Sequence, residues 1–124
     1  MTSKKIKTIA ILGSTGSIGT QALEIIKDNP DLFEVYALTA NNNSELLIKQ
    51  ALEFKPEVVV IANTDKYIEV KEALEKLPIK VFAGNDAISQ ITEMEPIDIV
   101  LTAMVGYSGL QPTISAIKAK KTID

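Results

Sequence analysis

Gly13, Gly16 and Gly19 recur at every third position within ILGSTGSIGTQALEII, residues 11–26. An apolar run precedes them and a helix-like pattern follows. At such a strand-to-helix turn each glycine has a physical use. Gly13 permits a sharp turn at the strand end. Gly16 lets a pyrophosphate approach the backbone without meeting a Cβ, and Gly19 lets the helix pack closely on the sheet. The helix start adds unpaired N–H groups and positive partial charge. Ser14, Thr15 and Ser17 supply hydroxyl donors around the same anion. The competing reading is a glycine-rich turn with no ligand. A P-loop is excluded, because Ile18 and Gly19 stand where that motif requires Gly-Lys ahead of Ser or Thr.

A second loop bears on which nucleotide fits. Sites for NAD place an Asp or Glu about 20 residues past the glycines to hold the ribose 2′-OH. Here that region reads Leu38-Thr39-Ala40-Asn41-Asn42-Asn43 and carries no acid. Its absence removes a charge that would repel a 2′-phosphate, which favours NADP over NAD. No Arg or Lys replaces it, so asparagine amides would donate to the phosphate instead. The alternative role for Asn41–Asn43 is a turn plus a helix cap, and one of the three is expected to serve it. Further on, Thr102-Ala103-Met104-Val105-Gly106 would emerge at the same sheet edge. It would form either a wall against a nicotinamide-ribose or simple loop packing.

The elements that must position these loops follow from periodicity. Short apolar runs predict strands at Thr8–Leu12, Glu34–Thr39, Val58–Ala62, Lys80–Phe82 and Ile97–Thr102. Several are β-branched at consecutive positions, as expected of parallel strands covered on both faces. Helical stripes join Ile18, Ala22, Ile25 and Ile26, then Leu47, Ala51 and Phe54, then Tyr67, Val70, Leu74 and Leu77. Leu110, Ile114 and Ile117 form a further stripe, and Asp86–Met94 is a shorter helix.

Proline placement agrees. Pro30, Pro56, Pro78 and Pro96 each fall between a helix pattern and the next strand, while Pro112 sits near a helix start. Asn43 or Ser44, and Thr64 or Asp65, are candidate N-caps for the second and third helices. Repeated β-α units with short connections imply an α/β fold, a doubly wound Rossmann-type parallel sheet with helices on both faces.

Composition narrows the remaining classes. The 124 residues suit a single domain of ordinary globular make-up, 46% hydrophobic and 23% charged. A net charge of −3 argues against nonspecific nucleic-acid binding. The basic clusters Lys4, Lys5, Lys7 and Lys118, Lys120, Lys121 read as solvation, the second also suiting a helix C-terminus. With no cysteine and no histidine, disulfides, thiolate chemistry and histidine acid–base catalysis are excluded within this chain. No apolar run approaches the roughly 20 residues that span a bilayer. The basic-then-apolar start is too short for a signal peptide and runs straight into the glycines. A cytoplasmic location is the expectation.

The residues match one family in order along nearly the whole chain. LGSTGSIGTQALEII (12–26), NPDLFEVYALTANNN (29–43), LEFKP (52–56) and IVLTAMVGYSGLQPTISAIKAKKTI (99–123) together resemble the N-terminal domain of 1-deoxy-D-xylulose 5-phosphate reductoisomerases. A generic dinucleotide-binding domain would share only the first. The resemblance implies an NADPH-dependent enzyme of the non-mevalonate isoprenoid pathway. It would turn 1-deoxy-D-xylulose 5-phosphate, a small phosphorylated sugar, into 2-C-methyl-D-erythritol 4-phosphate with Mg²⁺ or Mn²⁺, as a homodimer. Carried over by motif, Thr15, Gly16, Ser17 and Ile18 would contact the NADPH phosphates and ribose, and Asn41, Asn42 and Asn43 would surround the 2′-phosphate. Many members have Gly-Lys-Asn or Gly-Arg-Asn in place of Asn41-Asn42-Asn43, so the cationic phosphate partner is missing at Asn42.

The closing KKTID reads as the opening of a sixth strand, so residues 1–124 are expected to be the nucleotide-binding part of a longer enzyme. The catalytic Asn-Lys-Glu segment and the acidic metal ligands of the family are absent from the sequence. Asp98 and Glu34 belong at strand starts, on the edge away from the glycines. No catalytic and no metal-ligating residue is assigned, and the chain alone is expected to be inactive. The alternatives are another NADP-dependent reductase, such as a semialdehyde or homoserine dehydrogenase, or a nucleotide-sensing module without chemistry.

Overall fold

The computed structural model describes residues 6–102 and the backbone of residues 122–123. Six parallel strands form one sheet: β1 (Lys7–Leu12), β2 (Phe33–Ala40), β3 (Val58–Ile61), β4 (Lys80–Ala83), β5 (Ile99–Thr102) and β6 (Thr122–Ile123). Their spatial order is β4-β3-β2-β1-β5-β6. The chain therefore winds outward from β1 in one direction and then restarts at β5 on its other side. That reversal falls between β1 and β5, and it is at the carboxyl ends of such strands that doubly wound folds bind ligands. The sixth strand expected from KKTID is present as Thr122–Ile123, paired to Ile99–Val100.

Four helices are described: α1 (Ser17–Asp28), α2 (Ser44–Phe54), α3 (Tyr67–Ala73) and α4 (Asn85–Ile91). One face of the sheet packs Ile9, Ile11, Leu38, Val59 and Ile61 against Leu23 and Ile26 of α1, Leu47 and Ala51 of α2, and Val70 of α3. The opposite face packs Ala10, Leu12, Ala37, Val58, Val60 and Val100 against Ile88 and Ile91 of α4. Val58, Val59, Val60 and Ile61 are all buried, because a strand sandwiched between helices has no wet face.

One irregularity keeps the faces aligned. The β1–β2 register jumps from Ile9↔Val35 to Ala10↔Ala37, leaving Tyr36 as the extra residue of a bulge. Without it, Ala37 and Leu38 would exchange faces, because side chains alternate with a period of two.

Two helical expectations need correction. Gly19, Leu23 and Ile26 form the buried stripe of α1, whereas Ile18 and Ile25 are 58% and 60% exposed. Apolar type alone misphased that stripe, since its inward face contains a glycine that periodicity does not count. The third helix is shorter than its stripe: Leu77 lies in the turn beyond Ala73, still packed on the same core. The stripe Leu110, Ile114, Ile117, the prolyl start at Pro112, and the clusters Lys4–Lys5 and Lys118–Lys121 fall outside the described residues.

Candidate functional site

The glycine loop leaves β1 and enters α1 at the carboxyl edge of the sheet. Gly13 has φ 85°, the left-handed conformation that glycine adopts without penalty. Its N–H donates to the Thr39 carbonyl and to Thr39 Oγ1, at 3.1 and 3.0 Å, and the Ser14 N–H donates to the same carbonyl at 2.8 Å. Thr39, fully buried near the end of β2, thus fixes the loop on its neighbouring strand.

Ser14 corrects the expectation of a hydroxyl facing an anion. It is fully buried, and its Oγ donates to Gln50 Oε1 at 2.7 Å and approaches the Thr39 carbonyl at 3.2 Å. Gln50 Nε2 returns a bond to the Ser14 carbonyl at 2.8 Å. Gln50, on α2 and 36 positions away, was not foreseen. Its only sequence signal is a polar residue on the buried side of an amphipathic helix. Thr15, Ser17 and Ile18, in contrast, remain at least partly exposed.

The other two glycines answer to different neighbours. A Cβ on Gly19 would lie 2.4 Å from the Gly13 carbonyl oxygen and 2.6 Å from Ser14 Cα. What comes close is therefore the backbone of the loop itself, rather than the sheet. A Cβ on Gly16 would meet only the Gly13 carbonyl, at an ordinary 3.7 Å. Gly16 has φ −79°, open to any residue, so nothing in the protein demands glycine there. It is also the N-cap of α1, which has no side-chain cap and no acid in its first turn. The arrangement presents free helical N–H groups beside a surface without side chains, the chemistry of an anion cradle.

The asparagines at the end of β2 do three separate things. Asn41 accepts the Asn63 N–H at its backbone carbonyl, at 2.9 Å. Asn42 Oδ1 accepts from Asn63 Nδ2 at 2.9 Å. Asn43 caps α2, its Oδ1 accepting the Leu46 N–H at 3.1 Å. All three are exposed at the same edge as the glycine loop. The expectation of Thr64 or Asp65 as a cap is corrected: Asn63 caps the 3-10 turn Thr64–Lys66 by accepting the Asp65 N–H, and α3 itself has no side-chain cap.

Thr102 Oγ1, at the carboxyl end of β5, is buried with no hydrogen-bond partner among the described residues. The expected wall at residues 103–106 lies outside the described residues. At the opposite edge Asp98 accepts the Thr8 N–H at 3.0 Å and returns a bond from its own N–H to the Thr8 carbonyl, at 2.9 Å. It ties β5 to β1 at the edge away from the glycines, where the sequence places it. Among the described residues no three His, Cys, Asp or Glu side chains gather as a metal site. A cavity of about 530 Å³ lies beside β4, lined by Tyr67, Phe82, Asp86 and Gln90. None of the expected site residues lines it.

Residues 9–124 match the family described as 1-deoxy-D-xylulose 5-phosphate reductoisomerase. The chain belongs to that family. Among curated relatives, the 1-deoxy-D-xylulose 5-phosphate reductoisomerase of Bacteroides thetaiotaomicron is 70% identical over 119 residues, which is 96% of this chain and 30% of that protein. That of Bacteroides fragilis is 64% identical over 99% of this chain and 32% of its own length. The chain therefore spans about a third of the reductoisomerases it matches.

A solved reductoisomerase from Zymomonas mobilis, in complex with NADPH, superposes with a TM-score of 0.91 at 37% identity, over 96% of this chain and 31% of that one. Another, in complex with NADPH, fosmidomycin and magnesium, gives a TM-score of 0.91 at 32% identity, over 95% of this chain and 29% of its own. Neither a semialdehyde or homoserine dehydrogenase nor a sensing module finds support beside these matches. Among the described residues no helix is long and apolar enough to cross a membrane.

Proposed function

We propose that residues 1–124 are the NADPH-binding domain of a cytoplasmic reductoisomerase that converts 1-deoxy-D-xylulose 5-phosphate to 2-C-methyl-D-erythritol 4-phosphate. The observation that carries the cofactor assignment is the start of α1. Gly16 is glycine for no internal reason, and the helix behind it has neither a side-chain cap nor a first-turn acid. A dinucleotide pyrophosphate satisfies both conditions at once. Thr15, Gly16, Ser17 and Ile18 hold the phosphates and ribose, and Asn41, Asn42 and Asn43 surround the 2′-phosphate. The bound NADPH supplies the hydride; this chain's part is to bind and orient it.

Magnesium or manganese does not fit the described residues, so its ligands, the catalytic groups and the dimerising surfaces are assigned to the two-thirds of the relatives that this chain does not span. Residues 1–124 alone bind nucleotide without turnover. The test is titration of the chain with NADPH and with NADH, followed by calorimetry or fluorescence. Tighter binding of NADPH is expected; equal affinities would refute the 2′-phosphate role of Asn41–Asn43.

A further inference from the structure

We propose that Asn63 is a positioning residue for cofactor specificity, holding the Asn42 amide with its donors free so that a neutral side chain does the work of the missing cation. This rests on the NADPH reading above. The polarity of the pair is anchored by the backbone. The Asp65 N–H can only donate, and it donates to Asn63 at 3.0 Å, so the atom it meets is Oδ1. Asn63 must then present Nδ2 on its other side, where it lies 2.9 Å from Asn42. A donor facing Asn42 requires Oδ1 there in turn, and Asn42 Nδ2 keeps both hydrogens for a ligand. Turned the other way, Asn42 would offer an acceptor to a phosphate and repel it.

Position is controlled along with polarity. The Asn63 N–H donates to the Asn41 carbonyl at 2.9 Å, so one residue at the end of β3 grips both the backbone and the side chain of the asparagine loop. Asn43 follows the same logic: its Oδ1 is committed to the Leu46 N–H, which leaves its Nδ2 as donor. Two amides of fixed polarity thus stand side by side where a single lysine or arginine would otherwise bind the phosphate. Amide–phosphate hydrogen bonds lack that full charge, so they depend more heavily on being oriented beforehand.

N63S tests the assignment, because serine can still accept the Asp65 N–H but cannot reach Asn42. NADPH affinity of the chain is expected to fall about three- to tenfold, the range of one or two lost hydrogen bonds. NADH affinity and the melting temperature should stay at wild-type values. N42K supplies a charge that needs no orienting partner, so N42K/N63S should bind NADPH as tightly as N42K. If N63S keeps the wild-type preference for NADPH, or weakens both nucleotides equally, Asn63 does not set specificity while the cofactor reading stands. If the wild-type chain binds both nucleotides equally, the cofactor reading falls and the Asn63 assignment with it.

Discussion

Helices α1 and α2 begin after neighbouring strands at one edge of the sheet, yet they begin in opposite ways. The first starts at Gly16 with no side-chain cap and no acid in its opening turn. The second starts at Asn43, whose carboxamide accepts the Leu46 N–H, with Glu45 close behind and Ser44 donating to Glu69 at 2.6 Å. An N-cap contributes about 1 kcal/mol. The second helix takes that stabilisation from its own side chains, which closes its N-terminus to an anion. The first forgoes it and keeps its N–H groups for something outside the protein. At the end of β2, however, the cap residue also sits among the amides offered to a 2′-phosphate, so that start both closes a helix and faces the ligand.

The sharpest way to break the open start is to crowd it. A Cβ on Gly19 would lie within 2.4–2.8 Å of three backbone atoms of Gly13 and Ser14, none of which is the end of a flexible side chain. G19A should cost about 3 kcal/mol, the upper end of ordinary overpacking, and abolish nucleotide binding. Urea denaturation and NADPH fluorescence measure the two losses. A wild-type midpoint would show that the loop can move aside.

Next comes the link between the two starts. Q50L removes both bonds from α2 to Ser14 and leaves a buried carbonyl unpaired. The expected loss is about 1–3 kcal/mol in denaturation midpoint. S14A/Q50L should lose less than the two single variants added together, since they share one network.

Two milder variants separate binding from folding. In G16A the new Cβ has room, so stability should change by less than about 1 kcal/mol. NADPH affinity should fall at least tenfold, roughly 1.4 kcal/mol. At the closed start, N43A should cost about 1 kcal/mol of stability. N43D keeps the cap oxygen and the stability while setting a carboxylate beside the 2′-phosphate, so it should weaken NADPH more than NADH. A G16A variant that binds normally would return the loop to a plain structural turn.

How much of this could be read in advance depended on whether a residue's reason was local. Gly13 and its φ 85° turn follow from glycine at a strand end, and Asn43 as a cap follows from its place before an apolar period. The parallel sheet and its two covered faces follow from repeated β-α units and consecutive β-branched residues, whereas the order of the strands comes from the structure. Ser14 misled because its hydroxyl is claimed by Gln50, a partner brought near only by the packing of α2 on the loop. Ile18 and Ile25 misled because the inward face of α1 is marked by Gly19, whose role is close approach rather than apolar area. Asn63 lies in the loop after β3 and the asparagines it orients in the loop after β2, so no spacing within their own loop reveals it.

The smallest effect is expected where α1 and α2 meet again, at their far ends. Lys27 Nζ lies 2.8 Å from Glu53 Oε2, with both side chains about half exposed or more. The hydrogen bond that Lys27 donates to Glu53, and then the charge of Glu53, raise the Lys27 amine above the ordinary lysine value. A raised amine contributes stability that is fully present below the unfolded-state pKa and is lost as pH rises through the folded one. At neutral pH the pair is therefore intact, yet water and salt screen it and ordering two long side chains opposes it. E53Q should leave the denaturation midpoint within error. Any residual difference from wild type should shrink with added salt, and again in alkaline solution above the lysine range. A midpoint shift in E53Q as large as that of Q50L would mean that the helices are joined chiefly at their tails, and that the buried Ser14–Gln50 link at their starts matters less than its geometry implies.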